Sequence, residues 1–380
     1  MDFARRYQDG AALRRAEATD WLDPLLVPAA RVLPSNREYL AHLDVAAADR
    51  TLIRLASNEN TELPSPRVRE ALERAYEDAN LSPPTVPPLR LALAERYGVT
   101  SERVLVGAGS TELIEATVRT FVRAGDEVVL PTPSWPVFRR RLEALEARIV
   151  EVPLSVGERS FVYDVERLVR AVTESTKLMI LCTPNNPTGN SLGVADVRRC
   201  ADAAPLLLVD AAYADFDPDV DLMPLVHEYE NIVVSRTFSK AYCLAGLRVG
   251  YVVGDAAVLD HVDRFLVPGG SISSAALHAG LAAFGDEGHH RRQVERIRSE
   301  RARMIEGLRD LGLRAFDSLG NFVAIDVSDR PGGAPGFAEG VREQGIVIRV
   351  MSEDLARISV GRAEENDLLL AAAATVASAR

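Results

Sequence analysis

Between about residues 100 and 255, short apolar runs alternate with longer segments of helical length. The runs are nearly continuous in apolar residues, which is typical of strands that are buried on both faces. Strands joined through helices form a mostly parallel sheet that helices cover on both sides. The sequence therefore predicts an α/β core with strands in RVLVGAGS, DEVVLPTPSW, LMILCTPNNPTG, PLLLVDAAY, NIVVSRTFSK and LRVGYVVG.

The pattern changes after residue 290. A helical stripe of apolar residues in SERARMIEGLRDLG is followed by strands at NFVAIDV and GIVIRV and by a last helix near EENDLLLAAAATVASA. We expect residues 1–75 to form an N-terminal arm and part of a small domain, residues 76–290 a large α/β domain, and residues 291–380 the rest of a small α+β domain. The proline-rich residues 80–90 are expected to form an ordered loop.

Composition and charge exclude several functional classes. The chain has 380 residues, 47% of them hydrophobic, and a formal net charge of -11, which argues against nucleic acid or an anionic membrane as the main partner. No run of about eighteen apolar residues occurs, so no membrane span is expected. The first thirty residues mix arginines with acidic residues, which is unlike a secretion or transit signal.

Cysteine and histidine do not indicate a metal site. Cys182, Cys200 and Cys243 lack the spacing of a zinc site or a disulfide framework, which favours reduced thiols in a cytoplasmic protein. His289 and His290 are adjacent and point to different faces of a helix, so we interpret them as surface residues and expect no metal.

Polar residues at the strand ends are candidates for a ligand site, because open parallel sheets bind ligands beyond the carboxyl ends of their strands. A strand ends near Gly107 and Gly109, and a helix capped by Ser110 or Thr111 is predicted to follow. The backbone N–H groups of such a helix start can bind phosphate, although a plain capped helix has the same sequence pattern.

Two further strand ends carry polar groups. Asp210 closes the run PLLLVD, and Tyr213 follows three residues later. A carboxylate buried there needs a positive charge or several hydrogen-bond donors, and the alternative is an exposed aspartate that caps a turn. Asn186 lies in the turn of TPNNPTG, where asparagine often serves backbone geometry alone.

Lysine is nearly absent from this chain. Lys177 and Lys240 are the only two among 44 basic residues, and arginine occupies all the other basic positions. A lysine kept in such a sequence is a candidate nucleophile, since only an ammonium can lose its proton near neutral pH. The alternative is that both are ordinary surface residues. Near Lys240, the residues Thr237, Ser239 and Arg248 suit an anion held close to the amine.

These features together resemble the fold-type I aminotransferases of the aspartate aminotransferase superfamily, and among them the histidinol-phosphate aminotransferases most. The resemblance extends from LASNEN near Asn58 to ARISVGRAEEN near Arg357. It implies pyridoxal 5′-phosphate as cofactor and the PLP-dependent transferase fold type I, which is a mostly parallel mixed sheet between helices with a smaller α+β domain. It also implies a homodimer with shared active sites.

The resemblance gives each candidate a role at the cofactor. Lys240 would form a Schiff base with the cofactor and later transfer the proton from Cα. Asp210 would pair with the protonated pyridine nitrogen, while Tyr213 and Asn186 would hydrogen-bond the ring oxygen. Trp135 would stack on the ring. The phosphate would be held by Ser110, Thr111, Thr237 and Arg248.

Three residues are assigned to the substrate side by the same resemblance. Arg357 would receive the substrate's carboxylate, or its phosphate in the histidinol-phosphate enzymes. Arg349 resembles a second arginine that those enzymes direct at the phosphate. Asn58 lies in a motif near the mouth of the pocket.

The sequence departs from the family on the substrate side. Histidinol-phosphate aminotransferases carry a tyrosine–proline pair in the segment matching residues 80–90, and here no tyrosine lies between Tyr76 and Tyr97. Only Tyr39 lies near the N-terminal position of a second tyrosine. Thr61 and Leu63 stand where relatives often have proline and glycine. Because the cofactor residues are intact, we infer a changed substrate and an unchanged cofactor.

The predicted activity is transfer of an amino group between an amino acid, or an amino-alcohol phosphate, and a 2-oxo acid by a ping-pong mechanism. Histidinol-phosphate aminotransferase proper is one alternative. Elimination, cyclisation, decarboxylation or oxidation of an amino acid on the same cofactor is another, because all use the same electron sink. A catalytically silent binding domain would be expected to lack Lys240 or Asp210, and both are present.

Overall fold

The computed structural model describes residues 26–29, 33, 35, 48–268 and 270–378, so most of the expected N-terminal arm and Tyr39 lie outside the described residues. In chain order the strands are β1 (Ile53–Arg54), β2 (Val104–Gly107), β3 (Glu127–Thr132), β4 (Arg148–Pro153), β5 (Ser155–Val156), β6 (Phe161–Val162), β7 (Thr176–Cys182), β8 (Leu207–Asp210), β9 (Ile232–Thr237), β10 (Gly250–Gly254), β11 (Arg314–Ala315), β12 (Phe322–Asp326), β13 (Ile346–Val347), β14 (Arg349–Val350) and β15 (Leu355–Ser359).

The α-helices that surround these strands are α1 (Pro66–Ala75), α2 (Pro88–Tyr97), α3 (Ser110–Phe121), α4 (Pro136–Ala144), α5 (Val165–Arg170), α6 (Val194–Ala203), α7 (Leu225–Glu228), α8 (Ala256–Asp263), α9 (Ser274–Phe284), α10 (Glu287–Asp310), α11 (Gly333–Glu343) and α12 (Ala363–Ser378). Among the described residues, no helix combines the length and the apolar character that a bilayer span requires.

The large sheet has seven strands in the order β2-β10-β9-β8-β7-β3-β4. The strands from β9 to β4 pair in parallel, and β10 is antiparallel to both of its neighbours. All six apolar runs form strands of this sheet, so the predicted mostly parallel α/β fold is confirmed. The seventh strand, β4, was not predicted, because it lies at the edge and its sequence RIVEVP mixes charged with apolar residues.

The central strands are buried on both faces, as their continuous apolar sequences predict. In β7, Met179 and Leu181 pack into one hydrophobic core, while Leu178 and Ile180 pack into the core on the opposite face. Helices cover both faces, and they leave the carboxyl ends of the strands open to a cavity. The loops that follow the strands therefore carry the candidate ligand residues.

The small domain contains an antiparallel sheet in the order β11-β12-β15-β14. Its core includes Phe322 and Ile358 from the sheet and Met304 from α10. The segment GIVIRV, predicted as one strand, is divided: Ile346 of β13 pairs in parallel with Ile53 of β1, and β14 pairs with β15. The division lets this segment join the N-terminal part of the chain to the small domain.

The segment near the predicted domain boundary packs on the large domain. Val68 of α1 belongs to the core of the large sheet, and α1 lies against α9.

The proline-rich loop ends at Pro87, and α2 begins at Pro88, which corrects the prediction of a loop as far as residue 90. Proline is tolerated in the first turn of a helix because its missing N–H would have no helical partner there. The division into three segments stays a proposal.

Candidate active site

A cavity of about 540 Å³ opens at the carboxyl ends of the large sheet, where the two domains meet. It is lined by every candidate site residue predicted from the sequence, namely Asn58, Ser110, Thr111, Trp135, Asn186, Asp210, Tyr213, Thr237, Lys240, Arg248, Arg349 and Arg357. The sheet register explains why they converge. Cys182, Asp210 and Ser235 are aligned on neighbouring parallel strands. Strands β7 and β8 end at this level and β9 ends two residues later, at Thr237, so the loops after all three begin at the same edge of the sheet.

The side chain of Lys240 lies three residues beyond β9 and is enclosed in the cavity. Its Nζ donates a hydrogen bond to the carbonyl oxygen of Ser57 at 3.2 Å. Burial lowers the pKa of Lys240 to about 7, and the positive charge of Arg357 acts in the same direction. A lysine with such a pKa is a neutral amine in a large fraction of molecules at physiological pH and can act as a nucleophile.

Asp210 is the last residue of β8, and its side chain is buried. Its Oδ1 accepts a hydrogen bond from the backbone N–H of Ala212 at 3.2 Å. Burial raises the pKa of Asp210 to about 7, against the opposing effects of that hydrogen bond and of Lys240. A carboxylate in this position is best stabilised by a positively charged donor, because a buried charge is costly without a partner.

The hydroxyl of Tyr213 accepts hydrogen bonds from two buried asparagines. The distances are 3.1 Å from Nδ2 of Asn58 and 3.2 Å from Nδ2 of Asn186. Asn58 has a left-handed backbone with φ of 52°, and its N–H donates to Oγ of Ser359 at 2.7 Å. Asn58 is therefore a buried part of the cavity lining, which corrects the prediction that placed it near the mouth.

Arg357 lies on β15 of the small domain and is buried. Its Nη1 donates to Oδ1 of Asn186 and its Nη2 to the carbonyl oxygen of Ala56, both at 2.6 Å. These bonds fix the guanidinium at the cavity wall and connect the small domain to the loop after β7. A fixed guanidinium suits the fork geometry of a carboxylate or phosphate.

One end of the cavity has the features of an anion site. Helix α3 begins at Ser110 with Gly109 as its N-cap, so the predicted Ser or Thr cap is wrong, although the helix start is where it was expected. Gly109 has φ of 81°, and a Cβ there would collide with the guanidinium of Arg248. A Cβ at Gly250 would collide with the backbone nitrogen of Ser110. The glycines thus allow Arg248 to lie directly beside the N-terminus of α3, where both attract an anion.

Hydroxyl groups from the lysine loop line the same end. Oγ1 of Thr237 donates to Oγ of Ser239 at 3.0 Å, and Nη1 of Arg248 lies 3.4 Å from the same Oγ. The backbone of Arg248 is left-handed with φ of 54°. The loop that carries Lys240 is therefore joined by side-chain contacts to the anion site.

Trp135 lies at the N-terminus of α4 and lines the cavity. Its ring packs edge-to-face on Phe138, with 5.3 Å between the ring centroids.

Arg140 and Arg141 of the same helix also line the cavity and were not predicted as site residues. The arginine run after Trp135 was the available signal, but a run of charges usually marks a solvated helix face. Ser57, Glu59 and Met351 line the cavity too and were not predicted, although Ser57 and Glu59 flank Asn58 in the LASNEN motif.

The chemistry of these groups fits pyridoxal 5′-phosphate. Lys240 supplies an amine that can react with an aldehyde, and Asp210 supplies a buried carboxylate for a protonated ring nitrogen. Tyr213 supplies a phenol for the ring oxygen, and the start of α3 with Arg248 supplies donors for the phosphate. This set matches the four functional groups that the cofactor presents.

One sequence interpretation is wrong at His290. This residue is partly buried, its Nε2 lies 3.0 Å from Oδ1 of Asp215, and its ring stacks on Tyr242. Arg236 donates to the same Oδ1 at 2.8 Å. Burial alone would raise the pKa of Asp215, but Arg236 and His290 outweigh it and lower the pKa to about 2. Within the described ranges, no group of three or more His, Cys, Asp or Glu side chains is arranged to hold a metal ion.

Comparison with known proteins places this geometry among enzymes. The family model of aminotransferases of class I and II matches residues 50–372. Histidinol-phosphate aminotransferase 2 of Caulobacter vibrioides is 36% identical over 358 residues, which cover 91% of this chain and 93% of that protein. An aromatic amino acid aminotransferase of Rhodococcus opacus is 36% identical over 84% of this chain and 88% of its own length.

A solved structure with the same architecture is histidinol-phosphate aminotransferase from Sinorhizobium meliloti in complex with pyridoxal-5′-phosphate. It superposes with a TM-score of 0.80 at 29% identity, and the match covers 93% of this chain and 97% of that chain. The family match over residues 50–372 includes all the residues that line the cavity.

The lowered pKa of Lys240 predicts the pH dependence of its reactivity. In the cofactor-free protein, the rate of acylation of Lys240 should rise with pH and level off above about pH 7, because only the neutral amine reacts. Peptide mass spectrometry can follow the label at both lysines, and the exposed Lys177 reports on the reagent itself. A rate at Lys240 that still climbs about tenfold per pH unit between about pH 8 and 9 would contradict the lowered pKa.

Proposed function

Because the chain belongs to the family of class I and II aminotransferases, which use pyridoxal 5′-phosphate, we propose that this cavity moves an amino group from an amino acid to a 2-oxo acid in two successive half-reactions. One observation carries the proposal: an amine of lowered pKa, a buried carboxylate and a fixed guanidinium line a single cavity. The roles below follow from the position of each side chain.

When bound, the cofactor supplies an aldehyde for a primary amine and a ring that can take up the electron pair left when Cα loses its proton. Lys240 provides the amine of the resting enzyme. With a substrate amine in its place, Nζ of Lys240 would be a base beside the substrate. Its pKa of about 7 in the cofactor-free cavity suits it to take up and give back the proton of the substrate Cα.

Asp210 keeps the ring nitrogen protonated. Its carboxylate is charged more readily when a positive N–H lies against it, since the opposite charge offsets the cost of burial. The strand end holds the carboxylate in place, and the Ala212 amide fixes one of its oxygens. Tyr213, oriented by Asn58 and Asn186, is placed to donate its O–H to the ring oxygen.

The start of α3 and Arg248 hold the phosphate, and Arg357 holds the carboxylate of the substrate. The contact of Arg357 with Asn186 links the two binding events, because Asn186 also contacts Tyr213 beside the ring. Arg357 and Lys240 line the same cavity, and the charge of Arg357 acts on the amine, which supports a donor carboxylate bound at Arg357 near Lys240.

The stoichiometry of a reaction without acceptor tests the proposed transamination. With donor alone, the protein should release about one equivalent of 2-oxo acid per subunit and then stop, because the cofactor retains the amino group. Addition of a 2-oxo acid should restore turnover, as measured by chromatography of the products. Continued turnover of a donor without any acceptor would instead indicate elimination, decarboxylation or oxidation.

We also propose that the protein works as a homodimer. Large apolar side chains are exposed along residues 76–91, with exposed fractions of 83% for Tyr76, 60% for Leu81 and 52% for Leu91. Leu81 borders a groove that it shares with Leu277 and Leu281 of α9. A concentration of exposed apolar side chains is typical of a protein interface.

A charge placed in this surface should disrupt the dimer. Leu81→Glu is expected to shift sedimentation from dimer to monomer and to lower activity, because a carboxylate would have to be buried in the interface. The control is Leu368→Glu on α12, which changes an equally apolar and exposed side chain at a different place. An unchanged dimer in the Leu81 variant would show that this surface is not the interface.

A cytoplasmic location is a further proposal. The support is chemical: Cys182, Cys200 and Cys243 are free thiols in the structure, which suits a reducing compartment. Cell fractionation with antibody detection tests it, and recovery of the protein in an oxidising compartment would refute it.

A further inference from the structure

A buried carboxylate, that of Asp215, is shared by two partners from different parts of the chain. It lies in the short turn Ala214–Phe216 after β8, and its side chain is 7% exposed. Its Oδ1 accepts a hydrogen bond from Nη2 of Arg236 at 2.8 Å and lies 3.0 Å from Nε2 of His290. Burial alone would lower the pKa of Arg236, but Asp215 outweighs it and raises this pKa, so the pair stays charged.

The contacts of Asp215 reach the chain on both sides of Lys240. Arg236 lies on β9, four residues before Lys240. Tyr242 lies two residues after Lys240, and its ring stacks on that of His290 with 4.3 Å between the ring centroids. Asp215 therefore holds the lysine segment directly on one side and through His290 on the other.

The same carboxylate belongs to the segment that carries two other site residues. Asp210 ends β8, and Tyr213 lies two residues before Asp215. The turn between them is fixed by a hydrogen bond from the backbone N–H of Phe216 to the carbonyl oxygen of Tyr213 at 3.0 Å. The bonds of Asp215 thus set the position of Lys240 relative to Asp210 and Tyr213.

Aromatic packing makes the lysine turn move as a unit. Phe238 is fully buried two residues before Lys240, and its ring centroid lies 4.7 Å from that of Tyr242 and 5.8 Å from that of Tyr251. The backbone N–H of Leu244 donates to the carbonyl oxygen of Phe238 at 3.0 Å, which closes the turn around the lysine. A displacement of Tyr242 is therefore transmitted to Lys240.

Helix α10 holds the other side of the amine as well. His290 lies near its start, and further along the same helix Nη2 of Arg296 donates to Oδ1 of Asn60 at 2.7 Å. Asn60 follows Ser57 by three residues, and the carbonyl oxygen of Ser57 accepts the hydrogen bond from Nζ of Lys240. One helix thus anchors both the turn that carries the lysine and the segment that accepts its hydrogen bond.

We propose that His290 is a positioning residue for Lys240: by joining the ring of Tyr242 to the carboxylate of Asp215, it holds the amine at its enclosed place in the cavity. The inference rests on the proposed function only for the catalytic role of Lys240, because the state of the amine can be measured without cofactor. A loosened turn would admit water to Nζ, and the pKa of Lys240 would rise toward its ordinary value.

Two substitutions separate the two contacts of His290. His290→Phe keeps a ring against Tyr242 and removes the bond to Asp215, whereas His290→Gln keeps an N–H donor and removes the ring. In the cofactor-free protein, the midpoint of the pH profile for acylation of Lys240 should rise in both variants. The rate at about pH 7, relative to the plateau at high pH, should fall about 3- to 10-fold, as measured by peptide mass spectrometry.

Two control variants distinguish positioning from a general loss of stability. His289→Phe changes the adjacent imidazole, which does not contact Tyr242 or Asp215. Ile305→Val removes one methyl group from the small-domain core at the far part of α10 and should lower the melting temperature. Both controls should leave the midpoint of the Lys240 profile where it is in the unaltered protein.

Kinetics of the donor half-reaction provide the second readout. With cofactor bound and a donor that reacts, kcat and kcat/KM should fall together by about 3- to 10-fold in both His290 variants, because a displaced amine lowers the rate of proton transfer. The two controls should keep both constants within about twofold of those of the unaltered protein.

The outcomes separate this proposal from the proposed function. A midpoint that moves in neither His290 variant, or one that moves as far in either control, would overturn the positioning role. A midpoint that moves in both His290 variants but in neither control, in a protein that converts no donor, would support the role of His290 and refute transamination instead.

Discussion

The parallel register of the large sheet is the constraint on which the site depends. Because β7, β8 and β9 run in the same direction and end within two residues of one another, Asn186, Asp210 and Lys240 emerge at one edge. Each of these side chains lies near residues far away in sequence, and no local element could bring them together. The apolar strands that bury this register in two cores therefore also determine the chemistry at its end.

Burial gives the site its reactivity. The same desolvation acts on Lys240 and Asp210 in opposite directions, lowering one pKa and raising the other to about 7. Near pH 7, each group is therefore uncharged in a large fraction of molecules when no cofactor is bound. A cofactor with an aldehyde and a ring nitrogen would give each of them a partner. The small domain contributes Arg357 to the site. The hydrogen bonds of Arg357 to Asn186 and Ala56 fix the position of the proposed substrate side relative to the cofactor side.

Much of this could be read from the sequence, because the strands are continuous apolar runs and the reactive residues follow them directly. Lys240 could be identified by the scarcity of lysine elsewhere. The edge strand β4 could not be predicted from the sequence, since its exposure permits charged residues. The contacts of Asn58 with Tyr213 and of His290 with Asp215 could not be predicted either, because they join distant segments. Arg140 could not be predicted as a cavity residue, because it lies in a run of three arginines. Only the orientation of the helix distinguishes the arginines that line the cavity from one on the surface.

The most direct test of the account is reductive trapping of the cofactor. Borohydride reduction of the cofactor-loaded protein, followed by peptide mass spectrometry, should attach the cofactor to Lys240 and leave Lys177 unmodified. After prior incubation with a reactive amino donor and no acceptor, the label at Lys240 should be lost, because the amino group of the donor has replaced the lysine. A label at Lys177, or none on either lysine, would contradict the assignment of this cavity.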